Sequence, residues 1–177
     1  MNKINQTAYI CRDFPRDQED IMKIGLIVFS QTGHTMSVVD KLKDRLMGAG
    51  HQVQIDPIAI QGDAAPGKFE LPHQPETDPY DGIVFASPVQ AFSLNPVMKH
   101  YLEGLSSLKG KSVAFLVTKQ LSSHWTGGNR AINMMKTACL AKEADILGSG
   151  IVVWKETKRA VTEEEALNHL AQLFPGN

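Results

Sequence analysis

With 177 residues, 42% of them hydrophobic and 21% charged, the chain has the length of one globular domain and can bury a sizeable core without metal or disulfide staples. A formal net charge of −1 leaves no basic stripe for a phosphate backbone, which excludes nucleic acid as the expected partner. No apolar run approaches the ~20 residues of a membrane span, and Cys11 and Cys139, far apart in sequence, read as free thiols of a reducing cytoplasm.

Residues 1–21 are polar, lack a clean period and end in Asp17-Gln18-Glu19-Asp20. They read as an N-terminal extension, disordered or packed as an arm, ahead of a single α/β domain over 22–177. The organising stretch follows. Ile24 to Thr35, IGLIVFSQTGHT, is an apolar run that predicts a strand buried on both faces and breaks into hydroxyls and a glycine before a helical pattern. Such a strand-to-helix turn is built to cradle phosphate. Gly33 lets backbone approach a ligand, Ser30, Thr32 and Thr35 supply hydroxyls, and the first amides of the next helix lack intrahelical partners. Ordinary turn and N-cap chemistry uses the same residue types.

From Met36 to Met47, Val38, Val39, Leu42 and Leu46 share one helical face, closed by Gly48-Ala49-Gly50. His51 to Ile60 alternates and contains Pro57, which places it at a sheet edge. Gln61 to Pro79 shows no helical face, so the second crossover helix is expected to be missing or one turn long. Within it Gly62 to Lys68, GDAAPGK, follows the phosphate-loop pattern up to its lysine. Phe69 then stands where a metal-binding hydroxyl belongs and Pro66 removes an amide, so the segment reads as a surface loop.

Tyr80 to Ser87 predicts a third strand and Ser87 to Ser93 a polar-aromatic loop after it. Asn95 should cap a helix with Pro96 in its first turn and Val97, Met98, Tyr101, Leu102 and Leu105 inward. Lys111 to Thr118 predicts the fourth strand, followed by a loop to Gly128 and a helix from about Asn129. Ile146 to Trp154 is the expected last strand. Thr162 to Leu173 is the expected last helix, opened by a Thr162…Glu165 capping box. Alternating strands and helices imply a parallel sheet wound on both faces, with ligands at the carboxyl ends of the strands. The loops Ser30 to Thr35, Ser87 to Ser93 and Thr118 to Gly128 all fall at that edge.

In these residues the chain resembles the flavodoxin-like FMN-binding proteins, including a short-chain subgroup. Their signature after the first strand is a hydroxyl residue, any residue, Thr, Gly, a polar residue and Thr, and Ser30-Gln31-Thr32-Gly33-His34-Thr35 matches it. The likeness extends to Ser87-Pro88 after the third strand and Trp125-Thr126-Gly127-Gly128 after the fourth. It implies a flavodoxin-like α/β fold with a five-stranded parallel sheet in the order 2-1-3-4-5, between two helical layers. It also implies FMN as cofactor, its phosphate on Ser30, Gln31, Thr32, Gly33, His34 and Thr35. Ser87, Pro88, Val89, Gln90, Ala91 and Phe92 would touch the ribityl chain and ring. Thr118, Lys119, Gln120, Trp125, Gly127 and Gly128 would close over the ring's other side. Phe92 and Trp125 are the stacking candidates, with plain packing as the alternative for both. His34 replaces a small amide residue of the family and either bonds the phosphate or faces solvent.

Charge separates two kinds of flavoprotein. A low-potential carrier needs carboxylates near the ring to disfavour its anionic reduced form, and none of the three loops contains Asp or Glu. Lys119 and Arg130 stand in or beside the third loop, and even ~1 kcal/mol of attraction would raise the potential. The expectation is an FMN flavoprotein in redox electron transfer, leaning to a cytoplasmic NAD(P)H-linked two-electron oxidoreductase. The alternatives are a low-potential flavodoxin-type carrier served by a redox partner protein, or a binding module without flavin. Receiver domains share the sheet order, but they need acidic residues where this chain has Ser30 and Ser87. No side chain is required as acid or base, and His51, His73, His100, His124 and His169 have no metal-ligand spacing. A homodimer stays open, because helix faces that pair in dimers carry the pattern of core faces.

Overall fold

The computed structural model describes residues 21–121 and 127–174. The expectation for the N-terminal extension, and those for His124 and Trp125, therefore fall outside the described residues, except for the exposed Ile21.

Lys23–Val28 forms β1, completely buried beyond its first residue, and runs into α1 (His34–Gly48), which turns Val38, Val39, Leu42 and Leu46 inward. β2 (Gln52–Pro57) pairs with β1 alone and lies at the edge, where Pro57 costs no ladder bond. No helix follows it. The phosphate-loop mimic is instead the tip of a two-residue hairpin, β3 (Gln61–Gly62) with β4 (Phe69–Glu70), after which the chain runs irregularly back to the sheet. Polar contacts fasten this return. The buried Tyr101 hydroxyl donates to the Pro75 carbonyl at 2.7 Å, the Lys111 ammonium donates to the Tyr80 carbonyl at 2.8 Å, and the Tyr80 hydroxyl donates to Asp56. Burial and the Asp56 carboxylate hold the Tyr80 phenol far above its usual range, so that hydroxyl keeps its proton.

β5 (Gly82–Gln90) lies beside β1, and α2 (Pro96–Gly104), β7 (Ser112–Lys119), α3 (Gly128–Leu140), β8 (Asp145–Val153) and α4 (Glu156–Leu173) complete the winding. A short strand, β6 (Ser93–Leu94), folds back on the end of β5. The main sheet is parallel in the order β2-β1-β5-β7-β8, the expected 2-1-3-4-5 arrangement of a flavodoxin-like fold. One core face packs under α1 and α4 around Leu26, Val84, Leu116 and Leu167, the other under α2 and α3 around Ile27, Phe85, Phe115 and Met135. Asn95 caps α2 as expected, its side chain accepting from the Val97 amide at 2.8 Å with Pro96 in the first turn.

Two expectations need correction. Ser87 to Gln90 is not loop: β5 continues to Gln90, and only Ala91 and Phe92 turn before β6. The last helix begins at Glu156, not at a Thr162 cap. Its first turn closes on the Lys155 carbonyl, which accepts from the amides of Lys158 at 2.9 Å and Arg159 at 2.8 Å. The Thr162 hydroxyl, one turn further on, donates to the Lys158 carbonyl at 2.9 Å and accepts from the Val153 amide at 3.0 Å, tying α4 to the end of β8. A β-bulge also interrupts β8: Val113 pairs with Ile146 but Ala114 pairs with Gly148, so Leu147 has no counterpart on β7.

Candidate functional site

The carboxyl ends of β1, β5 and β7 open into one cleft, with a cavity of about 170 Å³ lined by Gln31, Thr32, His34, Thr35, Pro88, Val89, Thr118, Lys119, Gln120 and Trp154. The first wall is the turn from β1 into α1. Gly33 is the N-cap residue at φ 81°, in the left-handed region that a side chain disfavours, and no side chain caps the helix from that position. A Cβ there would meet nothing within 4 Å, so the backbone at that position is open. Of the first-turn amides, that of Met36 donates to the Ser30 hydroxyl at 3.3 Å, which leaves those of His34 and Thr35 with the character of any helix start. That turn contains no acidic residue, so the positive end of the helix dipole is not cancelled locally.

Thr35 points down to the floor. Its hydroxyl and that of Thr118 lie 2.8 Å apart, both residues at most 3% exposed. A hydroxyl donates one bond and accepts two, so a pair in which Thr118 donates leaves the Thr35 proton free to point upward into the cavity.

The second wall differs from its expectation. Ser87 is fully buried in the β5–β7 ladder and donates to its neighbour's carbonyl at 3.2 Å. Gln90 donates to the Ala64 carbonyl at 3.1 Å and accepts from Asn95 at 2.5 Å, so its amide braces the hairpin and the cap of α2. Pro88 and Val89 do line the cavity. Ala91 and Phe92 form a tight turn with φ 46° and 59°, a strained geometry for residues with side chains, and the Phe92 ring is 58% exposed at the rim.

Across from that turn, Gly127 caps α3 at φ 82°, and a Cβ on it would fall 2.2 Å from the Phe92 carbonyl carbon. Lys119, the last residue of β7, lines the cavity, and desolvation lowers its ammonium pKa. Arg130 is elsewhere: it lines the groove between α2 and α3 with Lys99, Glu103 and Met134. The cation expected beside the third loop is thus reduced to Lys119.

The sequence reading missed the wall contributed by the end of β8. His34 stacks on Trp154, ring centroids 4.1 Å apart and planes 18° from parallel, and the Arg159 guanidinium carbon lies 3.7 Å from the same indole centroid. Two groups that close to one centroid occupy opposite faces, so Trp154 is sandwiched between an imidazole and a guanidinium. Arg159 in turn contacts Glu163 at 3.4 Å, a buried carboxylate also paired with Lys41 of α1. The carboxyl-end rule that selected three loops applies equally to the last strand, and it would have selected Trp154.

No protein-family model matches the chain, and no curated protein matches it in sequence. Solved structures do match. A flavodoxin of Streptococcus pneumoniae TIGR4 superposes with a TM-score of 0.63 at 17% identity, over 86% of this chain and 97% of that one. A Fusobacterium nucleatum flavodoxin bound to flavin mononucleotide gives 0.61 at 10% identity, over 86% and 96%. A flavoprotein of Lactobacillus acidophilus NCFM in complex with FMN gives 0.57 at 14% identity, over 73% and 93%. The chain has the flavodoxin-like fold over nearly the full length of each.

Proposed function

We propose that this chain is an FMN-binding flavoprotein whose redox work leans toward two-electron oxidoreduction with NAD(P)H as donor. The observation that carries the reading is the β1–α1 turn: entered through a left-handed glycine, its hydroxyls and uncancelled helix start line a cavity with no acidic lining residue among the described residues. These residues fit a phosphomonoester. The cavity, about 170 Å³, is smaller than the ~300–1,000 Å³ of whole-ligand clefts, which suits a phosphate and ribityl chain and leaves the ring to the rim. There Ala91 and Phe92 on one side and Lys119 and Gln120 on the other would flank it. When bound, FMN supplies reversible one- and two-electron redox chemistry.

The chain's own part is binding and charge. The Gly33 turn and the Thr35 and Thr118 hydroxyls hold the ligand's tail, Pro88 and Val89 exclude water from its side, and Lys119 places a cation beside it. A cavity lined by a lysine and, among the described residues, by no Asp or Glu favours added negative charge, the opposite of what a low-potential carrier needs. Fluorescence titration of the purified protein with FMN should give one site per chain, with riboflavin at least tenfold weaker for want of the phosphate. A protein that takes up neither would remove the cofactor reading. Anaerobic mixing with NADH and NADPH, followed by redox titration, separates the two flavoprotein classes. Rapid reduction and a comparatively high potential support the oxidoreductase; no reduction and a very low potential support the carrier, which a redox partner protein would then serve. In either case the proposed setting is the cytoplasm, and among the described residues no helix is long and apolar enough to cross a membrane.

A further inference from the structure

The Trp154 sandwich stands at the edge of the α1–α4 core, against which Trp154 packs. Trp154 and Arg159 are only partly buried, and the stack sits on the cavity wall, with His34 and Trp154 both lining the space that Thr35 closes from below. His34 is also the first residue of α1, where an imidazolium opposes the helix dipole and gains only if an anion arrives. The indole fixes the ring's plane and offers its electron-rich face to a charged imidazole, while Arg159 already occupies the other face as a permanent cation. A second cation on the same indole, beside Lys119, meets repulsion. A dianion in the cradle reverses the balance.

We propose that His34, laid flat on Trp154 with Arg159 behind the indole, is the proton-carrying donor of the phosphate cradle, taking up a proton as a phosphomonoester dianion enters and so setting the site's preference for that ligand. The inference rests on the FMN reading and specifies how the tail is recognised. Lys119 at the end of β7 lines the same cavity as His34, Arg159 lies across the indole with Glu163 beside it, and Lys155 and Glu156 stand where α4 begins. The Glu163 carboxylate is held by Lys41 and Arg159. The first turn of α1 contributes no acid, so no neighbouring carboxylate of that turn supplies the counter-charge in place of the ligand. Selectivity follows from charge: a monoester is mostly a dianion at neutral pH, with its second pKa ~6, whereas riboflavin has no anion and each phosphate of a pyrophosphate diester carries a single charge.

The test counts protons. Calorimetric titration of the full chain with FMN at pH 7, in buffers of different ionisation enthalpy, should show uptake of a fraction of a proton that His34→Gln abolishes. Proton uptake by a histidine on binding, at one pKa unit of linkage, makes FMN binding roughly fivefold tighter at pH 6.5 than at pH 8.5. His34→Gln should lose that dependence, keeping only the small opposite trend of the phosphate's own ionisation. A second measurement does not depend on the variant folding: the imidazole of His34, followed by NMR in wild-type protein, should titrate at higher pH with FMN than with riboflavin or without ligand. If FMN binds with the same proton count and pH slope in wild type and His34→Gln, or if the His34 titration is unmoved by FMN, the inference is overturned while the cofactor reading stands. Absence of FMN binding at every pH overturns both.

Discussion

Two helices start at the same edge of the sheet with the same device, and for different reasons. Gly33 before α1 and Gly127 before α3 have φ of 81° and 82°, and neither offers a capping side chain. Around Gly33 a Cβ would meet nothing within 4 Å; on Gly127 it would fall 2.2 Å from the Phe92 carbonyl carbon. One glycine stands in open space, and the other makes room for the chain itself. Identical dihedral angles therefore do not identify a ligand site. Nor does open space alone, since Gly67 and Gly110 have φ of 70° and 75° with nothing within 4 Å of a Cβ; Gly33 differs from them by preceding residues that line the cavity.

The largest effect should follow from Gly127→Ala, which adds a backbone collision to the left-handed penalty and is expected to cost at least ~3 kcal/mol in urea unfolding. The thiol of Cys139, on the same helix, reports the damage independently. Burial pushes its pKa up to about 12, so it is inert in the native state. In a Cys11→Ser background, Gly127→Ala should speed its reaction with a neutral disulfide reagent tenfold or more, and an unchanged rate would mean that α3 does not depend on its glycine start. Next, Thr118→Val leaves the buried Thr35 hydroxyl without its partner and should cost ~1–2 kcal/mol, while the double replacement with Thr35→Val costs less than the sum of the two single changes. The smallest loss of stability, ~1 kcal/mol, is expected for Gly33→Ala, together with at least tenfold weaker FMN binding. A Gly33→Ala protein as crippled as Gly127→Ala, or one that binds FMN normally, would break the contrast.

Much of this architecture was legible because the core strands are nearly unbroken apolar runs and the edge strand is marked by Pro57. Asn95-Pro96 likewise announced α2, since a short polar cap followed by a fixed φ has few other uses. The failures came where one local pattern served two purposes. Thr162-Glu163-Glu164-Glu165 looks like a helix start, but tertiary contact with Val153 gave the hydroxyl other work inside a helix already under way. Ser87 to Gln90 looked like a loop because Ser87, Pro88 and Gln90 interrupt the apolar run, whereas a parallel neighbour and a folded-back strand supply its backbone bonds. Gln90, expected toward the ligand, is used by Ala64 and Asn95, a long-range demand that spacing along the chain does not encode. Trp154 escaped notice because a tryptophan ending an apolar strand reads as more core.

Which side of the sheet that tryptophan reaches is decided by the pairing of β8 with β7. Side chains along a strand alternate between faces, and an unpaired bulge residue is absorbed without reversing those downstream. Beyond the unpaired Leu147, Gly150 lies against Ala166 of α4, Ile151 approaches Gly128 of α3, and Val152 returns to the α1–α4 core. The next residue but one on that side is Trp154. Deleting Leu147 would leave Gly148 opposite Ala114 and the indole on the same layer, against His34 and Arg159. With Leu147 packed on the α1–α4 side and Gly148 against Leu173 of α4, the bulge takes up one extra residue and leaves the face of a side chain seven positions away unchanged.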